Sequence, residues 1–225
     1  MNREKPKKEI AMKRVFLIGD SICGGYSQYV QKAYEGIAEV RCTPESGRFA
    51  AYLVRVVPDW ARQLRGDTID LVHWNAGLWD VLRMPDGECF SDLETYKSYM
   101  ERLCVTLKRF FPNAKFIFAT STHVLEWKEI PSYAYFYRFN RDIEAYNAAA
   151  VEIVTRHGMA VNDLYTLSKS LPDSAHSDET HYYTKTGTQA FTDRVLECVA
   201  EVIGEKANPL DYDALFTEVK EVHGV

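Results

Sequence analysis

Apolar positions along this chain fall into two alternating kinds of run. Short, almost continuous apolar stretches occur at Arg14–Ile18, Glu39–Cys42, Ile69–Trp74, Lys115–Ala119 and Met159–Asn162. Each is strand-sized and most run into turn-forming residues, as strands buried on both faces do. Between them lie longer segments with apolar residues at helical spacing: Tyr26–Ile37, Phe49–Leu64, Leu93–Phe111, Arg138–His157 and Thr184–Ile203. Thr43-Pro44 stops the second strand, Pro112-Asn113 the third helix, and Gly158 closes the fourth. Pro58 is expected to kink or divide the second helix, because it removes a backbone donor and clashes one turn back. Strands alternating with helices predict a mostly parallel sheet covered on both faces, with ligands bound beyond the carboxyl ends of the strands. One domain is expected over residues 14–206, preceded by a basic leader (1–13). It is interrupted by an aromatic-rich insertion or lid (121–137) and followed by a C-terminal appendage (207–225). The appendage carries Leu210, Leu215, Phe216 and Val219 in an amphipathic pattern that suits either packing or an oligomer contact.

Composition narrows the function classes. With 225 residues, 46% hydrophobic and 13% aromatic, the chain can bury a sizeable core and is not read as disordered. A net charge of −5 argues against a nucleic-acid binder, which needs a phosphate-neutralising surface. No apolar run reaches the 18 residues of a membrane span, and the basic leader has no apolar stretch of signal-peptide length. A cytoplasmic location is therefore expected. Cys23, Cys42, Cys89, Cys104 and Cys198 are dispersed with no CxxC pair, so reduced thiols are expected. Metal-ligand spacing is missing, and neither a metal nor an organic cofactor is expected.

Three loops carry residues able to do chemistry. After the first strand stands Gly19-Asp20-Ser21-Ile22. A serine at a strand-to-helix turn lies among unsatisfied backbone N–H groups at the positive end of the helix dipole, which suits a nucleophile whose attack creates an oxyanion. Asp20 or Ser21 can equally be a plain helix cap. After the third strand stands Asn75-Ala76-Gly77-Leu78-Trp79-Asp80, where an amide and a glycine can face developing negative charge or simply form a turn. Before the last helix stands Asp178-Glu179-Thr180-His181, in which an Asp three residues ahead of a His can hold its second ring nitrogen. A DxxH alone is common and mostly structural.

Together the loops bring Ser, Asp and His in that chain order, and here the sequence resembles the SGNH (GDSL) hydrolase superfamily. Gly19-Asp20-Ser21 is similar to its first block and Asp178–His181 to its fifth, and the resemblance spans about residues 14–203. It implies Ser21 as nucleophile, His181 as general base and Asp178 as the carboxylate orienting the imidazole. It also implies an oxyanion hole from the Ser21 N–H, a glycine after the second strand (Gly47, in Glu45-Ser46-Gly47-Arg48) and an asparagine of a GxND block. Gly77-Leu78-Trp79-Asp80 departs from that block by placing Trp79 where the asparagine belongs. Either Asn75, just ahead of the glycine, supplies the amide, or that donor is missing.

The implied fold is a three-layer α/β/α sandwich of flavodoxin-like type, its five parallel strands ordered 2-1-3-4-5. The implied activity is serine ester hydrolysis through an acyl-enzyme. Short acyl esters of carbohydrates or small molecules are the expected substrates, with Asp20, Trp79 and His123 as candidate substrate contacts. Acyl transfer by the same residues and a weakened binding protein on the same fold are the alternatives. His73 reads as a core histidine and Cys23 as a core thiol; Arg48 meets either an anionic substrate or water. Expected partners are a small-molecule or carbohydrate ester, with no nucleic acid and no membrane; a homo-oligomer is left open.

Overall fold

A computed structural model describes residues 12–126 and 137–216, so most of the leader, the centre of the aromatic connection and the end of the tail lie outside the described residues. Five strands form one sheet: β1 (Lys13–Ile18), β2 (Ala38–Cys42), β3 (Leu71–Trp74), β4 (Lys115–Ala119) and β5 (Ala160–Asn162). All pairings are parallel and the order is β2-β1-β3-β4-β5, as expected. The central strands β1 and β3 are the most deeply buried, with Val15–Ile18 and Leu71–Trp74 wholly buried. Register fixes which loops meet: Ile18 pairs with Trp74, so the turn after β1 and the loop after β3 leave the sheet side by side. Lys13 belongs to β1 rather than to the leader, and its ammonium pairs with Asp70.

Helices cover both faces. α1 (Ser21–Ala33) packs with α6 (Lys185–Ile203) on one, while α2 (Ala50–Leu64), α3 (Leu93–Phe110) and α4 (Asn140–Arg156) pack in series on the other. Two helices depart from the periodicity. Pro58 neither ends nor divides α2, which runs unbroken to Arg65 in a left-handed conformation (φ 56°). An interior proline costs about 3 kcal/mol. Burying Leu53, Val57 and Trp60 on the same face returns about 1.5–3 kcal/mol for each, so packing wins. α1 begins at Ser21, ahead of the expected Tyr26, despite Gly24 and Gly25. Asp20 caps it, accepting the Ile22 N–H at 3.0 Å, and Ile22, Cys23 and Tyr26 are buried beneath it.

A short helix, α5 (Leu164–Ser170), follows β5 where no helix was expected; Asp163 caps it by accepting the Thr166 N–H at 3.0 Å. The tail is tied to the domain as far as it is described. The Asn208 N–H donates to the Ala33 carbonyl at 2.8 Å, and the Tyr212 hydroxyl donates to Asp193 at 2.6 Å. Among the described residues no helix is long and apolar enough to cross a membrane.

Candidate active site

The turn between β1 and α1 has almost no free volume. A side chain at Gly19 would place its Cβ 1.9 Å from Asn75 Oδ1 and 2.4 Å from Cys23 Cβ, so only glycine fits. Asp20, the next residue, is buried and points inward as the helix cap. Burial pushes its carboxyl above the usual range, opposed by the Asn75 amide, the Ile22 N–H and the charges of Arg138 and His181. A buried cap is poorly placed to touch substrate, so the contact expected of Asp20 finds no support in its surroundings. Ser21 then opens α1 at the positive end of the helix dipole.

Asp178 and His181 approach from the other side, on the loop before α6. Asp178 Oδ1 accepts the N–H groups of Thr180 (2.8 Å) and His181 (2.7 Å), folding the segment into a tight turn. The same carboxylate lies 2.9 and 3.0 Å from His181 Nδ1. Burial works against its charge, but the two N–H groups and the imidazole outweigh burial and hold Asp178 below the usual carboxylate range. An ionised carboxylate can only accept, so Nδ1 carries the ring proton and Nε2 is left with a lone pair. That lone pair faces Ser21 Oγ at 2.8 Å, across 160 residues of chain. Ser177 braces the loop: its N–H donates to the His181 carbonyl at 2.9 Å, and its hydroxyl accepts the Tyr183 N–H at 3.2 Å.

The remaining candidates divide. Asn75 is brought to the site: its N–H continues the β1–β3 ladder by donating to the Ile18 carbonyl at 3.0 Å, and its buried amide lies beside Asp20. Gly77 adopts φ 138°, and a Cβ there would sit 2.7 Å from Ser121 Oγ, so glycine is required. Gly47 also reaches the nucleophile turn, but its N–H donates to the Gly19 carbonyl at 2.7 Å, so an oxyanion would have to compete for that proton.

Trp79, on the loop after β3, is 36% exposed. Asp80 beside it is fully buried, accepting the Ala50 N–H (3.0 Å) at the start of α2 and the Ser91 hydroxyl (2.9 Å). Burial pushes this carboxyl up to about 7. His123 packs its ring against Tyr165 and His176, neither of which belongs to the Ser21–His181 arrangement; burial, aided by the charge of Lys169, lowers its pKa.

His73 is a core residue, 3.2 Å from the Asn162 amide, and burial pushes it down to about 4. Cys23 is a core thiol pushed up by burial. Among the described residues no group of His, Cys, Asp or Glu is placed to hold a metal ion.

Two residues with a bearing on the site were not singled out by motif. Arg138 donates through Nε to the Leu78 carbonyl at 2.7 Å and reaches Thr180 Oγ1 at 3.4 Å through Nη1, joining the loop after β3 to the Asp178–His181 loop. In sequence it reads only as the first residue of a helix. Tyr183 stacks on His181, and its place two residues past the histidine was the one available cue.

No family model matches the sequence, and no curated protein is significantly similar to it. Solved structures do match. A carbohydrate acetylesterase family member from Sinorhizobium meliloti superposes with a TM-score of 0.68 at 18% identity, over 86% of this chain and 100% of the other. A lipase/acylhydrolase from Enterococcus faecalis gives 0.64 at 18% identity, over 84% and 96%. A salicylyl-acyltransferase from a tetracycline biosynthetic pathway gives 0.59 at 16% identity, over 87% and 56%. The motifs at Gly19–Ser21 and Asp178–His181 and this likeness of architecture point the same way: the chain has the three-layer fold of the SGNH (GDSL) hydrolases.

Proposed function

We propose that this chain is a serine ester hydrolase. The observation that carries the reading is the relay of Asp178 to His181 Nδ1 at 2.9 Å and His181 Nε2 to Ser21 Oγ at 2.8 Å, at the carboxyl ends of the strands. In this reading Ser21 Oγ attacks the acyl carbonyl while Nε2 takes its proton. Asp178 stabilises the imidazolium, which returns the proton to the leaving alkoxide as the acyl–oxygen bond breaks. Water attacks the acyl-enzyme with Nε2 again accepting a proton, the acid leaves, and Ser21 Oγ regains its hydrogen.

The oxyanion is received by the Ser21 N–H at the start of α1 and by the Asn75 amide. Gly47 joins them if its N–H releases the Gly19 carbonyl. Arg138 holds the loops carrying these groups in register.

The substrate class is a short acyl ester, most naturally acetyl, on a carbohydrate or small molecule. The part-exposed Trp79 on the loop after β3 could offer its ring face to a sugar, and the superposed neighbours include an acetyl xylan esterase and a carbohydrate acetylesterase family member. Acyl transfer by the same residues is the second reading, favoured by the superposition on an acyltransferase. Product analysis with and without an alcohol acceptor separates the two.

The direct test is intact mass after treatment with a fluorophosphonate. A single adduct is expected on the wild type and none on Ser21→Ala, whose ester hydrolysis should fall by roughly 10⁴–10⁶. A wild type that takes no label would overturn the reading and leave a binding protein on a hydrolase fold. Among nitrophenyl esters, acetate should be cleaved faster than octanoate.

A further inference from the structure

Tyr183 makes three contacts that belong to no other part of the mechanism. Its ring stacks on the imidazole of His181 with centroids 4.8 Å apart and planes 23° from parallel. Its hydroxyl donates to the backbone carbonyl of Ser21 at 2.8 Å. Its ring edge lies so close to α1 that a Cβ at Gly25 would sit 2.7 Å from Cε1, and the ring, bonded at one end and stacked on the other side, cannot swing away. The residue thus spans from the base to the backbone of the nucleophile.

An imidazole held only by Asp178 through Nδ1 keeps freedom to tilt about that contact, and tilting carries Nε2 off Ser21 Oγ. A ring laid on its face removes that freedom. Tyr183 stays 41% exposed, so the brace does not lie in the core.

We propose that Tyr183 is a positioning residue for the reaction: its ring holds the imidazole of His181 in the plane that reaches Ser21, and its hydroxyl anchors that ring to the Ser21 carbonyl. The proposal rests on the reading of Ser21 as nucleophile. The phenol is pushed up to about 12 by burial, so the hydroxyl remains a donor across any ordinary assay pH. The groups facing His181 are Asp178 from its own loop, Ser21 from α1, the Tyr183 ring, and the buried carboxyl of Asp20. Arg138 stands behind them, bonded to Thr180.

The test compares Tyr183→Leu, which loses the ring, with Tyr183→Phe, which keeps it and loses only the hydroxyl. Tyr183→Leu should lower kcat and the fluorophosphonate labelling rate by about tenfold with KM within about twofold. Tyr183→Phe should stay within about threefold of wild type.

An unmoved kcat and labelling rate in Tyr183→Leu, on a wild type that takes the label, overturns the positioning role and leaves the esterase reading standing. A wild type that takes no label removes the reading and this role together.

Discussion

The two halves of the candidate site are held by different means. The nucleophile half, Gly19–Ser21 with Asn75 and Asp80, is buried at the carboxyl ends of the central strands apart from the half-buried Ser21. There strand register, the absence of a Cβ at Gly19 and the inward carboxyls of Asp20 and Asp80 leave one arrangement. The base half, Ser177–Tyr183, is a half-exposed turn held mainly by hydrogen bonds, locally to Asp178 and Ser177 and from outside by the Leu125 N–H on the Glu179 carbonyl and Arg138 on Thr180, with Tyr183 as its aromatic brace. Core packing is expensive to disturb and carries the whole fold with it. A turn held by side chains can lose a function-bearing contact while the fold stands. The difference predicts that damage to the base half is read in activity alone, and damage to the nucleophile half in activity and stability together.

The largest effect expected on that contrast comes from Asp178→Asn. It withdraws the charge that fixes the Nδ1–H tautomer, so kcat/KM should fall by about 10⁴. The thermal midpoint should stay within a degree or two, read by calorimetry beside the kinetics. A midpoint lower by ten degrees would erase the distinction between the halves.

Asn75→Ala is the matching change on the other side. It should cost about 10²–10³ in kcat if the amide receives the oxyanion, and about 1–3 kcal/mol of stability because its buried partners lose an amide. Full activity in this variant would leave the amide out of the oxyanion hole and return the question to Trp79.

The smallest effect is one of pH and concerns Asp80. Its folded pKa of about 7 lies above the ordinary value near 3.9, so the folded state keeps a proton that the unfolded chain releases in between. The stability this group contributes is full below about pH 4 and is lost as pH climbs through about 7. Urea unfolding of wild type and Asp80→Asn should therefore converge or cross on going from pH 5 to pH 8, the wild type losing roughly 2–3 kcal/mol relative to the variant. Parallel curves would mean that Asp80 is ionised throughout.

Much of this was legible in the chain itself, for reasons that differ by residue. The five strands could be read because strands buried on both faces are continuous apolar runs, whereas their order was implied by the family resemblance, since right-handed crossovers alone allow more than one order. The Asp178–His181 pair could be read because its chemistry is local: three residues suffice to bring a carboxylate back to an imidazole. The meeting of His181 with Ser21 is a property of the fold, and only the order of motifs along the chain pointed to it.

What escaped was set by tertiary packing. Pro58 stays within α2 because the buried face outweighs its cost, and the Gly24-Gly25 pair hides the true start of α1. α5 is a seven-residue helix of barely two turns whose cue was the cap at Asp163. The pairing of the Gly47 N–H with Gly19 and the bridging by Arg138 are set by how distant loops dock, and residue type says nothing of either.

The close approach of Tyr183 to Gly25 also has a bearing on descent. A methyl group at position 25 and an aromatic ring at position 183 cannot occupy the same space, so neither site is free to drift alone. In diverging lineages of this protein the two positions should be inherited as a couple, glycine with tyrosine or phenylalanine. A lineage that gives up the ring at 183 is released to take alanine at 25 and recover the helix stability that glycine forgoes, about 1 kcal/mol.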